Sequence, residues 1–169
     1  VSRTSPSSHT PPTGGTPATE ALTAAGVAFT AVAYTHHDDA TDFGAEVIRE
    51  TGRDPEQVFK TLVVATGPRS LAVGVVPVSG RLDLKALASA LGVKKVELAP
   101  PAAAERSSGY VVGGVSPLGQ RTPLPTVIDE TAQLFDTVLV SGGKRGLQVE
   151  LAPDDLAAVT GATFAPIAR

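Results

Sequence analysis

A lysine inside an apolar, strand-like run is the residue of this chain best placed to do chemistry. In Phe59-Lys60-Thr61-Leu62-Val63-Val64 a strand's period of two puts Lys60 on one face with Leu62 and Val64. If that face is buried, the ammonium is aimed inward at the strand's entrance, and a buried cation requires an anionic or carbonyl partner. If both faces are covered, the alternative is a lysine at a strand edge that reaches back to solvent along its alkyl stem.

Three small-residue segments add a second kind of chemistry. Gly113-Gly114-Val115-Ser116-Pro117-Leu118-Gly119 is too rich in glycine for the interior of a helix or strand. Ser141-Gly142-Gly143-Lys144-Arg145-Gly146 directly follows an apolar run, and Pro77-Val78-Ser79-Gly80-Arg81 also places a small residue beside a cation. Glycine lets backbone N–H groups approach a ligand closely, and a row of them cradles an anion or an oxyanion. Turn formation alone is the competing explanation for each.

Other patterns fail on their own chemistry. Residues 114–121 spell G-x-x-x-x-G-Q-R, which lacks the lysine and hydroxyl of a phosphate-binding loop and carries Pro117 inside it. His36-His37-Asp38-Asp39, with Asp42, has side chains alternating to opposite faces and no second histidine cluster, so it reads as a solvated loop and no metal site is expected. A Ser-His-Asp triad has no nucleophile elbow to support it. No cysteine is present, which excludes disulfides, thiolate metal sites and a protein thiol nucleophile.

The elements that must position these residues follow from the pattern of the whole chain. It has 169 residues, a formal net charge of −3 and 42% hydrophobic residues, enough for one domain with its own core. The charge rules out a wholly basic nucleic-acid binder, although Arg81, Lys85, Lys94, Lys95, Arg106, Arg121, Lys144 and Arg145 gather in the middle and C-terminal half. Residues 1–15, rich in Ser, Thr, Pro and Gly, read as a disordered tail without a secretory signal, and no run is long enough to span a bilayer. A cytoplasmic location is the default expectation.

From Thr16 onward, helices are expected at 18–25, 42–51, 84–91, after Pro100-Pro101, and from Pro153-Asp154, with Asp42 and Asp83 as N-caps and Gly26 and Gly52 as stops. Strands are expected at 27–34, 58–65, 71–76, 95–98, 126–129, 137–140, 147–151 and 163–167, the second and third forming a hairpin. Strands come in groups with helices interspersed irregularly, which implies an α+β class with a mixed or largely antiparallel sheet.

Taken together, the motifs resemble the YbaK/EbsC family, and most closely its bacterial Cys-tRNA(Pro) deacylases. The resemblance runs from Thr16-Pro17-Ala18 to the C-terminus. It includes Asp42-Phe43-Gly44-Ala45-Glu46-Val47, Gln57-Val58-Phe59-Lys60-Thr61-Leu62, Gly80-Arg81-Leu82-Asp83-Leu84-Lys85, the run from Arg106 to Gly119, and Ser141-Gly142-Gly143-Lys144-Arg145-Gly146-Leu147. It implies a single domain over 16–169 with a barrel-like, mostly antiparallel mixed sheet flanked by helices.

The resemblance also implies hydrolysis of the ester of mischarged Cys-tRNA(Pro) without a cofactor. The acceptor end of tRNA(Pro) and prolyl-tRNA synthetase would be the partners, and a membrane would not. The family's lysine falls on Lys60 and its Ser-Gly-Gly loop on Ser141, Gly142 and Gly143. Its pocket aromatics fall on Tyr34 and Phe43, and Gly113, Gly114, Ser116, Pro117 and Gly119 complete the substrate-binding set. The substrate's own thiol would attack or activate the carbonyl. One position departs from the family: the aspartate after the Gly-Leu pair is Gln148 here. A deacylase of Ala-tRNA(Pro) or of a broader aminoacyl-tRNA range, and a non-catalytic module that binds a nucleotide or aminoacyl group, stay open as alternatives.

Overall fold

The computed structural model describes residues 15–169. The tail expected over residues 1–15 lies, except for Gly15, outside the described residues. The chain runs α1 (Pro17–Ala24), β1 (Thr30–Ala33), α2 (Phe43–Thr51), β2 (Phe59–Gly67), β3 (Ser70–Pro77), α3 (Leu84–Leu91) and β4 (Glu97–Leu98). It continues through α4 (Pro101–Ser108), β5 (Thr126–Asp129), a 3-10 turn (Glu130–Leu134), β6 (Val138–Lys144), β7 (Leu147–Leu151), α5 (Pro153–Thr160) and β8 (Thr163–Ala165).

Local chemistry fixes the helix ends. Asp42 and Asp83 accept from the backbone N–H of Ala45 and Ala86 at 3.0 and 3.1 Å, each satisfying an amide that the first turn leaves unpaired. Gly52 and Gly92 close α2 and α3 in the left-handed conformation. Thr16 caps α1 in a reciprocal box with Thr19.

The strands form two sheets. In the five-stranded sheet the order is β4-β2-β3-β5-β8, with β2 antiparallel to β3 and β4, and with β3, β5 and β8 parallel. The three-stranded sheet, β1-β7-β6, is antiparallel throughout. Phe59, Val63, Val73 and Val75 face Val138, Val140, Val149 and Leu151 of the smaller sheet, and Leu22 of α1 and Leu156 of α5 close the layer between. The other face of the large sheet, with Val64, Ala72, Val76 and Val127, is covered by Leu87 and Ala88 of α3 and by Ile167. Burial on both faces explains why β3 is a continuous apolar run rather than an alternating one.

The α+β class, the mixed sheet and the single domain agree with the sequence pattern, but the sheet is not closed into a barrel. The two sheets are joined at their edges by one parallel bridge, Val58 with Leu139, supported by the Leu139 N–H donating to the Gln57 carbonyl at 3.1 Å. Several elements also differ from expectation: β1, β4 and β8 are shorter than the runs expected at 27–34, 95–98 and 163–167. β6 runs on through Gly142-Gly143 to Lys144, because a register shift between Ser141 and Lys144 absorbs the glycine pair as a bulge. The 3-10 turn after β5 has little apolar periodicity, and is instead organised by buried Asp129. That carboxylate accepts from the Thr131 N–H and from the N–H groups of Ile167 and Ala168. Among the described residues, no helix is long and apolar enough to cross a membrane.

Candidate active site

The missing closure creates the site. β4 pairs with β2 only at Val64 and Ala65, and Ala99 N–H extends the contact to the Val63 carbonyl at 3.0 Å. Between there and the Val58–Leu139 bridge, the edge of β2 carries no ladder partner among the described residues. A cavity of about 580 Å³ occupies that gap. β2 forms one wall, Ser141 and Gln148 of the small sheet another, and the first turn of α2, the start of α4 and the loop through Gly113 complete it.

Lys60 is half-buried in this wall. Among the described residues no carboxylate lies within 4.0 Å of its ammonium. A cation in a largely apolar recess, with no ion-pair partner among the described residues, is free to meet an anion or a carbonyl oxygen brought by a ligand.

Phe43 sits at the first position of α2, where the Asp42 cap fixes its backbone. The Arg145 guanidinium lies 4.9 Å over its ring, and Arg145 Nε donates to the Val112 carbonyl at 2.8 Å. Gly113 completes this cluster with φ +90°, and a Cβ there would fall 2.9 Å from Phe43 Cδ1 and 2.8 Å from Arg145 Nε. The β6–β7 hairpin, the Gly113 loop and α2 are thus locked together at the cavity by one cation–π contact and one hydrogen bond.

Ser141 lines the cavity and pairs in register with Gln148, which in turn pairs with Val32. Its hydroxyl accepts from the Gly143 N–H at 3.1 Å. Gly142 and Gly143 themselves are not on the cavity wall. Gly143, at φ +102°, packs against Tyr110 and Thr16, and the Gly142 carbonyl accepts from the Thr16 hydroxyl, so the bulge is a seat for α1. The Gly143 N–H expected to meet an oxyanion is therefore engaged inside the protein.

The glycine loop divides in the same way. Gly113 and Val115 line the cavity, whereas Gly114 abuts the Lys144 backbone and donates its N–H to the Val111 carbonyl at 2.9 Å. Ser116 and Pro117 are buried, the Ser116 hydroxyl accepting from Leu118 N–H at 3.2 Å. A Cβ on Gly119 would lie 2.4 Å from the Pro17 carbonyl oxygen, so that glycine is a packing position against α1. The third loop turns away: Arg81 exchanges backbone hydrogen bonds with Arg169, and of its segment only Val78 reaches the cavity.

Tyr34 stands one layer back from the wall, against Val47, Val58 and Leu139. Burial pushes its hydroxyl pKa up, opposed by hydrogen bonding to Gly146 and to the Gln148 side chain. His36 and His37 are likewise not on the wall. The His36 ring and the His37 N–H both bond to Glu46, fully buried in α2, at 2.8 Å, and His37 Nε2 meets Glu50 at 3.3 Å. The His36 hydrogen bond is the main cause that holds the Glu46 carboxyl below its ordinary value, against the opposing effect of burial.

Of the expected residues, the structure therefore brings together Lys60, Phe43, Gly113 and Ser141. Thr61 and Gln148 line the same cavity; Thr61 carried no role in the sequence reading, and Gln148 entered it only as the departure from the family aspartate. Their signal was present: each is a polar residue in a largely apolar strand, where a buried polar group calls for a partner. The apolar wall of Leu98, Ala99 and Ala104 gave no such signal, because surface and core residues of that kind look alike in sequence.

Comparison with known proteins agrees with this architecture. The family model described as "Aminoacyl-tRNA editing domain" matches residues 37–159. Over 124 residues the chain is 42% identical to the Enterococcus faecalis protein named "Putative Cys-tRNA(Pro)/Cys-tRNA(Cys) deacylase EbsC", covering 73% of this chain and 76% of that protein. Among solved structures, "a putative trans-editing enzyme for prolyl tRNA synthetase" superposes with a TM-score of 0.78 at 27% identity, over 90% of this chain and 95% of that one. A hypothetical protein of known structure does so with a TM-score of 0.79 at 25% identity, over 90% and 99%. By sequence and by fold, the chain belongs to the aminoacyl-tRNA editing domain family, of the YbaK/EbsC type.

Proposed function

We propose that the aminoacyl ester this deacylase hydrolyses is that of mischarged Cys-tRNA(Pro), with the substrate's own thiol taking part in the attack. The observation that carries the reading is Lys60, a cation without an ion-pair partner among the described residues, on the wall of a largely apolar cavity that Ser141 and Phe43 also line. The name of the E. faecalis relative supports a cysteinyl-tRNA substrate, and that of the trans-editing neighbour supports a link to prolyl-tRNA synthetase.

The residues at hand support substrate assistance. Neither histidine of the 36–37 pair lines the cavity, and both are engaged by glutamates of α2. Asp42 is on the wall, but its carboxylate caps α2. The hydroxyls of Ser141 and Thr61 thus have no evident base to activate them. A thiol held beside the ester carbon on the same substrate needs no protein nucleophile, and such proximity is worth up to roughly 7–11 kcal/mol in ideal cases. In this scheme Lys60 anchors the acylated 3′ end through a phosphate or carbonyl oxygen, and Phe43, Gly113 and the apolar wall confine the amino acid. Tyr34 backs the wall through Val47 and Val58, and the Gly142-Gly143 bulge and the 114–119 loop hold the wall in shape.

A net charge of −3 supports weak, salt-sensitive affinity for tRNA alone, so presentation by prolyl-tRNA synthetase in the cytoplasm belongs to the same proposal. The test is release of amino acid from Cys-, Ala- and Ser-tRNA(Pro). Rapid loss of cysteine with serine spared is the expected result, because a hydroxyl is a poorer nucleophile than a thiol. Rapid hydrolysis of Ser-tRNA(Pro) overturns the thiol mechanism, and release of alanine with cysteine retained overturns the substrate.

A further inference from the structure

Two polar side-chain atoms are buried without a hydrogen-bond partner among the described residues, Thr61 Oγ1 and Gln148 Oε1. Both residues line the cavity, Thr61 from β2 of the large sheet and Gln148 from β7 of the small one. Gln148 is only 5% exposed. Buried polar atoms without partners are rare because the lost contact with water is not replaced. When such atoms face one another's cavity, a ligand that enters it is the natural partner.

The atom types specify that partner. The Gln148 Oε1 is an acceptor only, and it is the atom of that amide buried without a partner among the described residues. The ligand must therefore present a hydrogen-bond donor between the two sheets. In an aminoacyl ester, a methyl side chain offers no donor and a thiol only a weak one, whereas the α-ammonium offers three on a compact centre. The Lys60 cation in the same cavity repels that ammonium and attracts the ester or phosphate oxygens, which sets the two ends of the substrate apart.

We infer that Gln148 Oε1 and Thr61 Oγ1 form the subsite for the free α-amino group of the aminoacyl ester, so that the protein accepts aminoacyl ends and rejects N-acylated ones, peptidyl ends included. The inference rests on the deacylase reading for the class of ligand, but it does not depend on which side chain the amino acid carries. Because the amide is neutral, recognition works through oriented lone pairs rather than through a fixed negative charge.

The test is calorimetric binding of two hydrolysis-resistant probes, 3′-cysteinylamino-3′-deoxyadenosine and its N-acetyl derivative, with Cys-tRNA(Pro) deacylation followed separately. The wild-type protein is expected to prefer the free amine by about tenfold or more, the scale of one hydrogen bond to a charged group. Gln148→Leu and Thr61→Val should each lower affinity for the free amine and leave the N-acetyl probe unchanged. Gln148→Glu should strengthen the preference through its carboxylate, a gain that misfolding cannot produce. Equal binding of the two probes by the wild type, binding of neither, a Gln148→Leu protein that keeps the preference, or no gain in Gln148→Glu overturns the inference. A wild type that shows the preference but releases no cysteine from Cys-tRNA(Pro) overturns the proposed substrate and leaves the amine subsite standing.

Discussion

The hydroxyl of Thr16 donates to the carbonyl of Gly142, 126 positions further along the chain, while the same oxygen caps α1 by accepting from the Thr19 N–H. One side chain thus ends a helix and seats the bulge beside which Ser141 enters the cavity wall. Thr16→Val removes both bonds with little change of volume. The expected loss is about 1–2 kcal/mol of stability, measured by denaturant titration, with a fall in deacylation that exceeds the fall of a variant at Asp83, the cap of the distant α3. Equal activity in the two variants would show that the bulge does not position Ser141.

Lys60 tests the chemistry itself. Lys60→Ala should lower the deacylation rate by about 10²–10³-fold, the range for removal of one electrostatic contact to the reacting group. The circular dichroism spectrum and melting temperature should stay near wild type, since the ammonium has no ion-pair partner among the described residues. Unchanged turnover removes Lys60 from the mechanism.

Arg145 tests the mouth of the cavity. Arg145→Lys keeps the charge but cannot reproduce the Nε hydrogen bond to Val112 while lying over Phe43. A rise of about three- to tenfold in KM is expected, with kcat little changed, because contacts of this kind contribute about 1 kcal/mol each. A fall in kcat at constant KM would place Arg145 nearer the reacting atoms than its position over Phe43 implies.

Glu46 gives a pH signature. Its carboxyl is held below its ordinary value of 4.5 chiefly by the His36 hydrogen bond, with the His37 N–H assisting. A depressed carboxylate contributes stability that is fully present above its unfolded pKa and is lost as pH falls through the folded one. Glu46→Gln should therefore be less stable than wild type at pH 7, and the gap should narrow as pH drops below 4.5. Melting curves from pH 7 to pH 3 check this; a gap that widens in acid reverses the assigned sign.

What the sequence by itself determined is local. The caps at Asp42 and Asp83, the stop at Gly52, the β2–β3 hairpin and the apolar strands were legible because each depends on residues a few positions apart. Lys60 stood out for the same reason, as a charge inside an apolar period. The family resemblance reached Phe43, Gly113 and Ser141 as well, but it grouped them with Gly119, Gly142 and Gly143, which are equally glycine-rich or adjacent in sequence and yet pack against α1, Leu147 and Tyr110. Only the tertiary structure separates these roles, because whether a glycine faces a ligand or a neighbouring backbone depends on contacts more than a hundred positions away. The cavity itself belongs to that level. It exists because β2 and β6 meet at Val58 and Leu139 and then part, leaving Thr61 and Gln148 buried across a gap that no stretch of either strand encodes alone.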